Sequence, residues 1–308
     1  MRRWRDDGWV LVPDLIPADE IDAALDDLWR VVPHPDDVHG GAGRDALARG
    51  LESRNPSGRA AAPEGTLAFR PEQFLGRAYF PFPGTGALNR LAVHPNLVDF
   101  VERALQHTDL RVYQMSVWAK YTGVADYAQP LHQDHNHSVV PFRAEPGWWH
   151  VEGFLYLSDV DDGVAPTRAV SVRDSGGRQH LVPLAPEDAP ELYAAEVPAA
   201  GRRGSYLAYR PDVLHRGVDL TRPGGSRFLY NLSYKIAGHD WIGYENVQAN
   251  STTGAFRRFV ESCSPRQLAL FGVPEPGHPY WTSAVLAAMA ERYPGLDLEP
   301  WISATLDQ

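Results

Sequence analysis

Two histidines and one aspartate have the residue types and the spacing of a metal site. His132 and Asp134 stand two residues apart. In an extended backbone, alternation places both side chains on one face and leaves Gln133 pointing away. The best candidate for a third ligand is His215, which follows a short apolar run 81 residues beyond Asp134. Two histidines and one carboxylate that leave the opposite coordination positions open favour non-haem Fe(II), which activates oxygen.

Three other histidines in the same region are alternative ligands. If the strand continues, His135 points to the face opposite Asp134, and His137 lies beyond a predicted bend. We therefore expect both to line the pocket or to support the ligands from behind. His150 is expected to be structural.

Short strands are the elements that must position these residues. Leu110 to Tyr121 is the strongest strand candidate, and it leads into the segment of His132 and Asp134. Five further strands, separated by turns rich in glycine, proline and aspartate, are predicted at 153–157, 169–172, 205–209, 213–216 and 228–234. Many short strands bracketed by helices favour a mainly β fold with flanking α-helices, of the sandwich or jelly-roll kind.

Helical patterns bracket these strands. Apolar residues at helical spacing predict a helix from about 17 to 32, and further helices are predicted at 95–106 and 282–293. Residues 33–65 are rich in Gly, Pro, Ala and Arg, with one possible helical turn at 45–51. A segment of this kind is typical of a lid or binding loop, or of disorder.

Length and composition indicate one globular domain. The chain has 308 residues, of which 44% are hydrophobic and 22% charged, enough for a sizeable core. Enzymes built on β-barrels often reach this length as a single unit. We therefore expect one domain over 1–308, with a helical C-terminal extension at 250–308.

Charge, cysteine count and hydropathy limit the partners and the compartment. The 39 acidic residues against 29 Lys and Arg give a formal charge of −10, which argues against nucleic-acid binding. Cys263 is the only cysteine, so no intrachain disulfide is possible and a reducing compartment fits. No stretch approaches the ~20 apolar residues of a membrane span. We expect a cytoplasmic monomer or homodimer with no membrane partner.

An arginine after the third histidine has the position of a carboxylate clamp. Arg227 lies 12 residues past His215 and begins an apolar strand. If 217–225 form the connection of a hairpin, Arg227 returns beside His215, where its guanidinium can bind a carboxylate through two hydrogen bonds. Iron alone does not need this arginine, whereas a dicarboxylate co-substrate does. Three competing arginines are less well placed: Arg210, Arg216 and Arg222.

Several pieces of the sequence occur in an order that is typical of one oxygenase family. They are the opening segment 7–13, the triplet 132–134, the turn 157–163, His215 and Arg227. In these pieces, which span residues 7 to about 235, the chain resembles the phytanoyl-CoA dioxygenase-like (PhyH) branch of the Fe(II)/2-oxoglutarate oxygenases. Their common order is more specific than any one of them.

This resemblance implies a fold, two cofactors and a reaction. The fold implied is the double-stranded β-helix, a cupin-like jelly roll. His132, Asp134 and His215 would be the iron ligands, and Arg227 would bind the distal carboxylate of 2-oxoglutarate. The reaction implied is hydroxylation of a small-molecule substrate, with 2-oxoglutarate and oxygen converted to succinate and carbon dioxide. Related halogenases have a small residue at the position of Asp134, so the carboxylate favours hydroxylation.

The sequence departs from the family pattern on the substrate side. The family often carries Pro-Gly-Ser-His after the turn that ends at Gly163, whereas residues 164–170 here read VAPTRAV. Acyl-CoA chemistry is therefore not implied. Further 2-oxoglutarate contacts are predicted on strands that should face or flank the metal, at Gln114, Lys120 and Phe154. Two alternatives stay open: a cupin-like metal enzyme that does not use 2-oxoglutarate, and a non-catalytic β-barrel binding protein.

Overall fold

The strands that carry the candidate site form two antiparallel sheets. The computed structural model describes residues 1–41, 43–45, 47, 75–80, 82, 85–134, 138–243, 254–265, 268 and 272–306. The strands are β1 Trp9–Val12, β2 Arg77–Tyr79, β3 Leu110–Tyr121, β4 Glu152–Tyr156, β5 Arg168–Val170, β6 Val197–Pro198, β7 Tyr206–Tyr209, β8 Leu214–Arg216 and β9 Ser226–Ile236.

The order of the strands defines the topology. The larger sheet has the order β1-β7-β4-β9-β3-β2, and the smaller sheet has the order β6-β5-β8. An antiparallel bridge between His132 and His215 adds the segment of His132 to the edge of β8. The consecutive strands β7, β8 and β9 alternate between the two sheets, which is the winding of a double-stranded β-helix. The predicted jelly-roll fold is confirmed.

Helices flank the sheets. They are α1 Arg2–Asp7, α2 Ala18–Leu28, α3 Pro35–His39, α4 Ala87–Leu91, α5 Pro95–Leu105, α6 Val172–Ser175, α7 Pro190–Ala194, α8 Gly254–Glu261, α9 Ser283–Arg292 and α10 Glu299–Leu306. Their starts follow local signals, because His94 accepts a hydrogen bond from the Asn96 N–H before α5 and Thr282 accepts one from the Val285 N–H before α9. Within the described ranges, no helix combines the length and apolar character of a membrane span.

Side chains of the larger sheet alternate between two buried faces. Phe228, Tyr230 and Leu232 of β9 pack in one core with apolar residues of α2 and α5. Leu229, between them in sequence, packs in a second core with Ala169 of β5 in the smaller sheet. Because successive side chains of a strand point to opposite faces, the odd-numbered residues of β9 face the space between the sheets. That face carries Arg227.

The C-terminal helices cover one end of the barrel. Leu286 and Met289 of α9 and Trp301 of α10 share an apolar cluster with Tyr113 of β3 and Val139. These helices therefore share an apolar core with the long strand that leads toward the candidate site.

Most of the predicted elements are confirmed, and the differences have local causes. The strand predicted at 169–172 ends at Val170, because the Ser171 hydroxyl accepts a hydrogen bond from the Asp174 N–H and begins α6. Elements as short as α4 and β2 were not predicted, since they hold too few residues to show a period. Most of the loop predicted at 33–65, including most of its helical turn at 45–51, lies outside the described residues, although its beginning contains α3.

Candidate metal centre

His132, Asp134 and His215 lie together in the structure. Nε2 of His132 is 3.8 Å from Oδ1 of Asp134, and Nε2 of His215 is 3.4 Å from Oδ2 of the same carboxylate. One ligand atom from each residue lies within 4.8 Å of the other two. The two histidines are buried and the Asp134 side chain is 17% exposed. The three side chains can therefore hold one metal ion that is reached from one side.

Backbone pairing sets the two imidazoles side by side. The N–H of His132 donates to the carbonyl of His215 at 3.0 Å, and the N–H of His215 donates back at 2.9 Å. Nδ1 of each ring faces a carbonyl two residues earlier, Pro130 at 2.9 Å and Val213 at 3.2 Å. These carbonyls favour the tautomer with hydrogen on Nδ1. Each Nε2 then carries the lone pair that a metal ligand needs.

Gln133, between the two ligands, points away from the centre as predicted. Its side-chain amide donates to the carbonyls of Arg178 and Asp212, both at 2.8 Å, and its oxygen accepts from the N–H of His180 at 2.9 Å. The buried amide therefore connects the ligand segment to the backbone that leads into β8. This contact helps to hold His215 opposite His132.

Tyr209, which the sequence analysis did not select, supports the aspartate. Its phenol donates to Oδ2 of Asp134 at 3.0 Å, and its ring lies 4.4 Å from the ring of His215. Burial raises the pKa of Tyr209 well above its ordinary value, and the negative charge of Asp134 adds to the shift. The phenol therefore stays protonated and orients the carboxylate.

The hydroxyl of Tyr209 should contribute to metal affinity. We expect Tyr209→Phe to weaken Ni(II) binding by about tenfold, because groups that orient metal ligands typically account for this much affinity. Isothermal titration calorimetry on the two proteins measures the change. Tyr206→Phe is the matched control, because that phenol is equally buried on the same strand but donates to the carbonyl of Leu232. Equal losses in both variants would contradict a specific role for Tyr209.

Charge at the centre raises the pKa of His215. Burial by itself lowers this pKa, but the Asp134 carboxylate raises it through its charge and through a hydrogen bond, and the net shift is upward. The Asp134 carboxylate thus favours positive charge in the space between the two Nε2 atoms. A metal ion there would compete with protons for the same atoms.

Arg227 lies in the barrel interior, but the predicted hairpin is wrong. β8 with His215 pairs with β5 in the smaller sheet, whereas Arg227 is the second residue of β9 in the larger sheet, opposite Lys120 of β3. The connection 217–225 therefore crosses between sheets. Arg227 is 4% exposed and donates to the carbonyl of Ala165, and its Nε has no hydrogen-bond partner among the described residues.

Lys120 forms a second cation beside Arg227. Its Nζ donates to the carbonyls of Tyr127 and Val218, both at 2.9 Å. Burial lowers the pKa of Lys120 to about 7, and the neighbouring charge of Arg227 contributes to the shift. Val218 lies only three residues beyond His215, about 10 Å along an extended chain. The cation pair of Arg227 and Lys120 and the metal centre face the same space between the two sheets.

Of the two other predicted 2-oxoglutarate contacts, Phe154 lies near Tyr209, whereas Gln114 is remote from Arg227 and Lys120. Phe154 is partly exposed on the interior face, and its ring lies 6.2 Å from that of Tyr209. Gln114 pairs with Ser233 across β3 and β9, six residues from Lys120, which is roughly 20 Å along the strand. The structure therefore does not bring Gln114 to the cation pair.

Gln114 belongs instead to a buried polar group around Glu152. The Ser233 hydroxyl donates to Oε2 of Glu152 at 2.8 Å and lies 3.4 Å from Oε1 of Gln114, and Tyr113 donates to Oε1 of Glu152. His150 is part of this group, with Nε2 3.3 Å from the same carboxylate. His150 is therefore not among the three metal-centre residues. His135 and His137 lie outside the described residues.

Comparisons with known proteins give similar solved structures but no family. No family model and no curated protein matches this chain. Solved structures that it resembles include EctD from S. alaskensis in its apo form, at 16% identity over 80% of each chain with a TM-score of 0.53. Another is the epimerase SnoN in complex with Fe3+, alpha-ketoglutarate and nogalamycin RO, at 20% identity over 77% of this chain and 82% of that one, with a TM-score of 0.49. HygX from Streptomyces hygroscopicus with nickel and 2-oxoglutarate bound has 14% identity over 77% and 85%, with a TM-score of 0.48. The likeness to EctD shows a shared fold.

Proposed function

We propose that this protein is an Fe(II)- and 2-oxoglutarate-dependent oxygenase that hydroxylates a small molecule. The observation that carries this proposal is a His-Asp-His group and a buried arginine that face the same space between the two sheets. The metal group alone would also suit other cupin-like enzymes. The buried Arg227 favours the oxygenase among these enzymes, because its charge suits an anionic co-substrate such as 2-oxoglutarate.

The donor set fits iron. His132 and His215 offer neutral nitrogens, because their Nδ1 atoms face backbone carbonyls, and Asp134 offers a carboxylate oxygen. Two histidines and one carboxylate on one side of a metal are the ligands of non-haem Fe(II) oxygenases, which need the remaining positions for their co-substrates. We assign these three residues as the iron ligands.

The cation pair fits the distal carboxylate of 2-oxoglutarate. Nε of Arg227 is buried and has no hydrogen-bond partner among the described residues, and an unsatisfied guanidinium nitrogen is costly inside a protein. Burial lowers the pKa of Arg227, which indicates that its charge lacks full compensation in the protein alone. A bound carboxylate would satisfy both. Lys120, and less directly Phe154, would border the same co-substrate.

Asp134, Tyr209 and Arg227 would have different roles in the proposed reaction. When bound, Fe(II) and 2-oxoglutarate would activate oxygen, which is the oxidant, for attack on a C–H bond, with succinate and carbon dioxide as co-products. Asp134, oriented by Tyr209, would fill the position that halogenases leave open for halide, which supports hydroxylation. Arg227 would fix the co-substrate at its far end. We propose that residues 1–308 form one such oxygenase domain, with substrate and oxygen as its partners.

The visible spectrum tests the cofactor assignment. Anaerobic protein loaded with Fe(II) and 2-oxoglutarate should develop the weak charge-transfer band of the chelate. Succinate is the matched control, because it has two carboxylates but no keto group and cannot chelate in the same way. If the band is missing while Fe(II) binds, the cupin-like alternative without 2-oxoglutarate gains support. If it is present, succinate formation across a panel of compounds would identify the substrate.

A further inference from the structure

A cavity of about 570 Å³ lies at the end of β9 that is remote from Arg227. Arg227 is the second residue of β9 and Ile236, which lines the cavity, is the last, so roughly 30 Å of strand separates them. The volume falls in the range of small-molecule sites. Its lining combines apolar surface from Leu105 and Ile236 with three imidazoles, those of His107, His239 and His278.

Two of these imidazoles have a defined tautomer. Nδ1 of His107 accepts a hydrogen bond from the N–H of Asp109 at 3.1 Å, and Nδ1 of His278 accepts one from the N–H of Tyr280 at 3.1 Å. A backbone N–H cannot accept, so each Nδ1 must carry a lone pair. The hydrogen of each neutral ring is then on Nε2. Both rings therefore bring a hydrogen-bond donor to the lining of the cavity.

The third imidazole is buried and incompletely satisfied. The ring of His239 contacts the rings of Trp148 at 5.4 Å and Trp241 at 4.7 Å, which also contact each other, and its Nδ1 has no hydrogen-bond partner among the described residues. His239 is 7% exposed. Burial lowers the pKa of His239 to about 4, so the ring is neutral near pH 7. An unpaired polar atom in such a position is costly unless a ligand satisfies it.

The chemistry of the lining favours an acceptor. None of the described residues that line the cavity carries a carboxylate, although the chain as a whole has a formal charge of −10. Apolar walls with a few fixed N–H donors select a ligand with a flat apolar body and an acceptor group, and an anionic acceptor takes the stronger hydrogen bonds. A cationic ligand would have no acceptor side chain of opposite charge among these residues.

We propose that this cavity is a second ligand site, separate from the metal centre, which binds a small carboxylate with a flat apolar body. The carboxylate accepts hydrogen bonds from His278 and His107, and the body lies against Leu105, Ile236 and the edge of Trp148. The site does not depend on the proposed oxygenase function, because none of the metal-centre residues lines it.

Three probes of one shape test the proposal. Isothermal titration calorimetry on the full chain, without metal or 2-oxoglutarate, would compare benzoate, benzamide and benzylamine. We expect benzoate to bind at least about tenfold more tightly than benzylamine, with benzamide between them, as follows from a hydrogen bond to a charged acceptor. His278→Phe, which keeps a ring and removes the donor, should weaken benzoate by about tenfold. His34→Phe is the matched control elsewhere on the surface.

A second variant separates this cavity from the metal centre. Arg227→Ala should leave benzoate affinity unchanged, whereas a loss there would show that benzoate had bound beside the metal centre and would overturn the proposal. Equal affinities for the three probes, or no binding of any of them, would also overturn it. The ranking of the probes on the unmodified protein decides the matter even if His278→Phe does not fold. The outcome is independent of the chelate band that tests the oxygenase function.

Discussion

Asp134→Ala should abolish tight Fe(II) binding and, with it, any 2-oxoglutarate-dependent turnover. Asp134 lies between the two imidazole nitrogens and is the only carboxylate of the described metal group. Loss of a group that merely orients a ligand costs 10–100-fold in metal affinity, so loss of a ligand itself should cost roughly a hundredfold or more. Anaerobic titration with Fe(II), followed by succinate assay, measures both consequences.

A surface aspartate provides the control for this experiment. Asp26 is exposed on α2, and Asp26→Ala removes the same charge without touching the barrel interior. The control should bind Fe(II) as the unmodified protein does, and thermal unfolding of both variants would exclude a general loss of structure. If Asp134→Ala keeps its iron and its turnover, the three ligands have been assigned wrongly.

Arg227→Ala should raise the concentration of 2-oxoglutarate needed for half-saturation by about a hundredfold, equivalent to about 2.7 kcal/mol. The physical reason is that a carboxylate bound in the buried interior would lose its bidentate partner, and Lys120 alone would face it. Arg227→Lys should have a smaller but distinct effect, because lysine keeps the charge but not the planar fork of donors. Titration of the chelate band with 2-oxoglutarate measures each affinity.

Arg222 is the matched control for Arg227. It lies five residues earlier in the chain, is largely exposed, and pairs with Asp161 at 2.5 Å. Exposed pairs of this kind contribute little, so Arg222→Ala should leave 2-oxoglutarate affinity close to that of the unmodified protein. An unchanged affinity in Arg227→Ala, or an equal loss in Arg222→Ala, would place the carboxylate clamp elsewhere.

The two experiments together separate the leading function from its alternatives. A cupin-like metal enzyme without 2-oxoglutarate should lose metal in Asp134→Ala and show no effect of Arg227→Ala on any co-substrate. A non-catalytic β-barrel should bind neither iron nor 2-oxoglutarate tightly. Only an oxygenase of the proposed kind should respond to both substitutions, and through two different measurements.

Much of the fold could be predicted from the sequence because its signals are local. Local residue patterns predicted the strand Leu110–Tyr121 and a helix at 95–106, which the structure contains as β3 and α5. The metal ligands could be predicted from the sequence for the same reason. An H-x-D triplet in extended backbone places its two ligands on one face whatever surrounds it, and His215 followed an apolar run of strand character.

The neighbours of Arg227 and Asp134 depend on how the strands pair within and across the two sheets, which local patterns do not show. A hairpin was predicted to bring Arg227 beside His215. The winding of the β-helix instead puts their strands in different sheets and places Lys120 opposite Arg227. Tyr209 gave no signal, because its role depends on a contact with a residue 75 positions away. The cavity at the end of β9 joins residues from distant parts of the chain in the same way.

The chemistry of the ligands and the class of fold could thus be predicted, since residue type and local periodicity carry both. The groups that surround those ligands became known only from the packing of the folded chain. Contacts between residues far apart in the chain depend on strand register and on the packing of two sheets, and neither leaves a periodic mark in the sequence. Asp134 shows the difference: its identity predicted a metal ligand, and only the fold revealed the phenol that orients it.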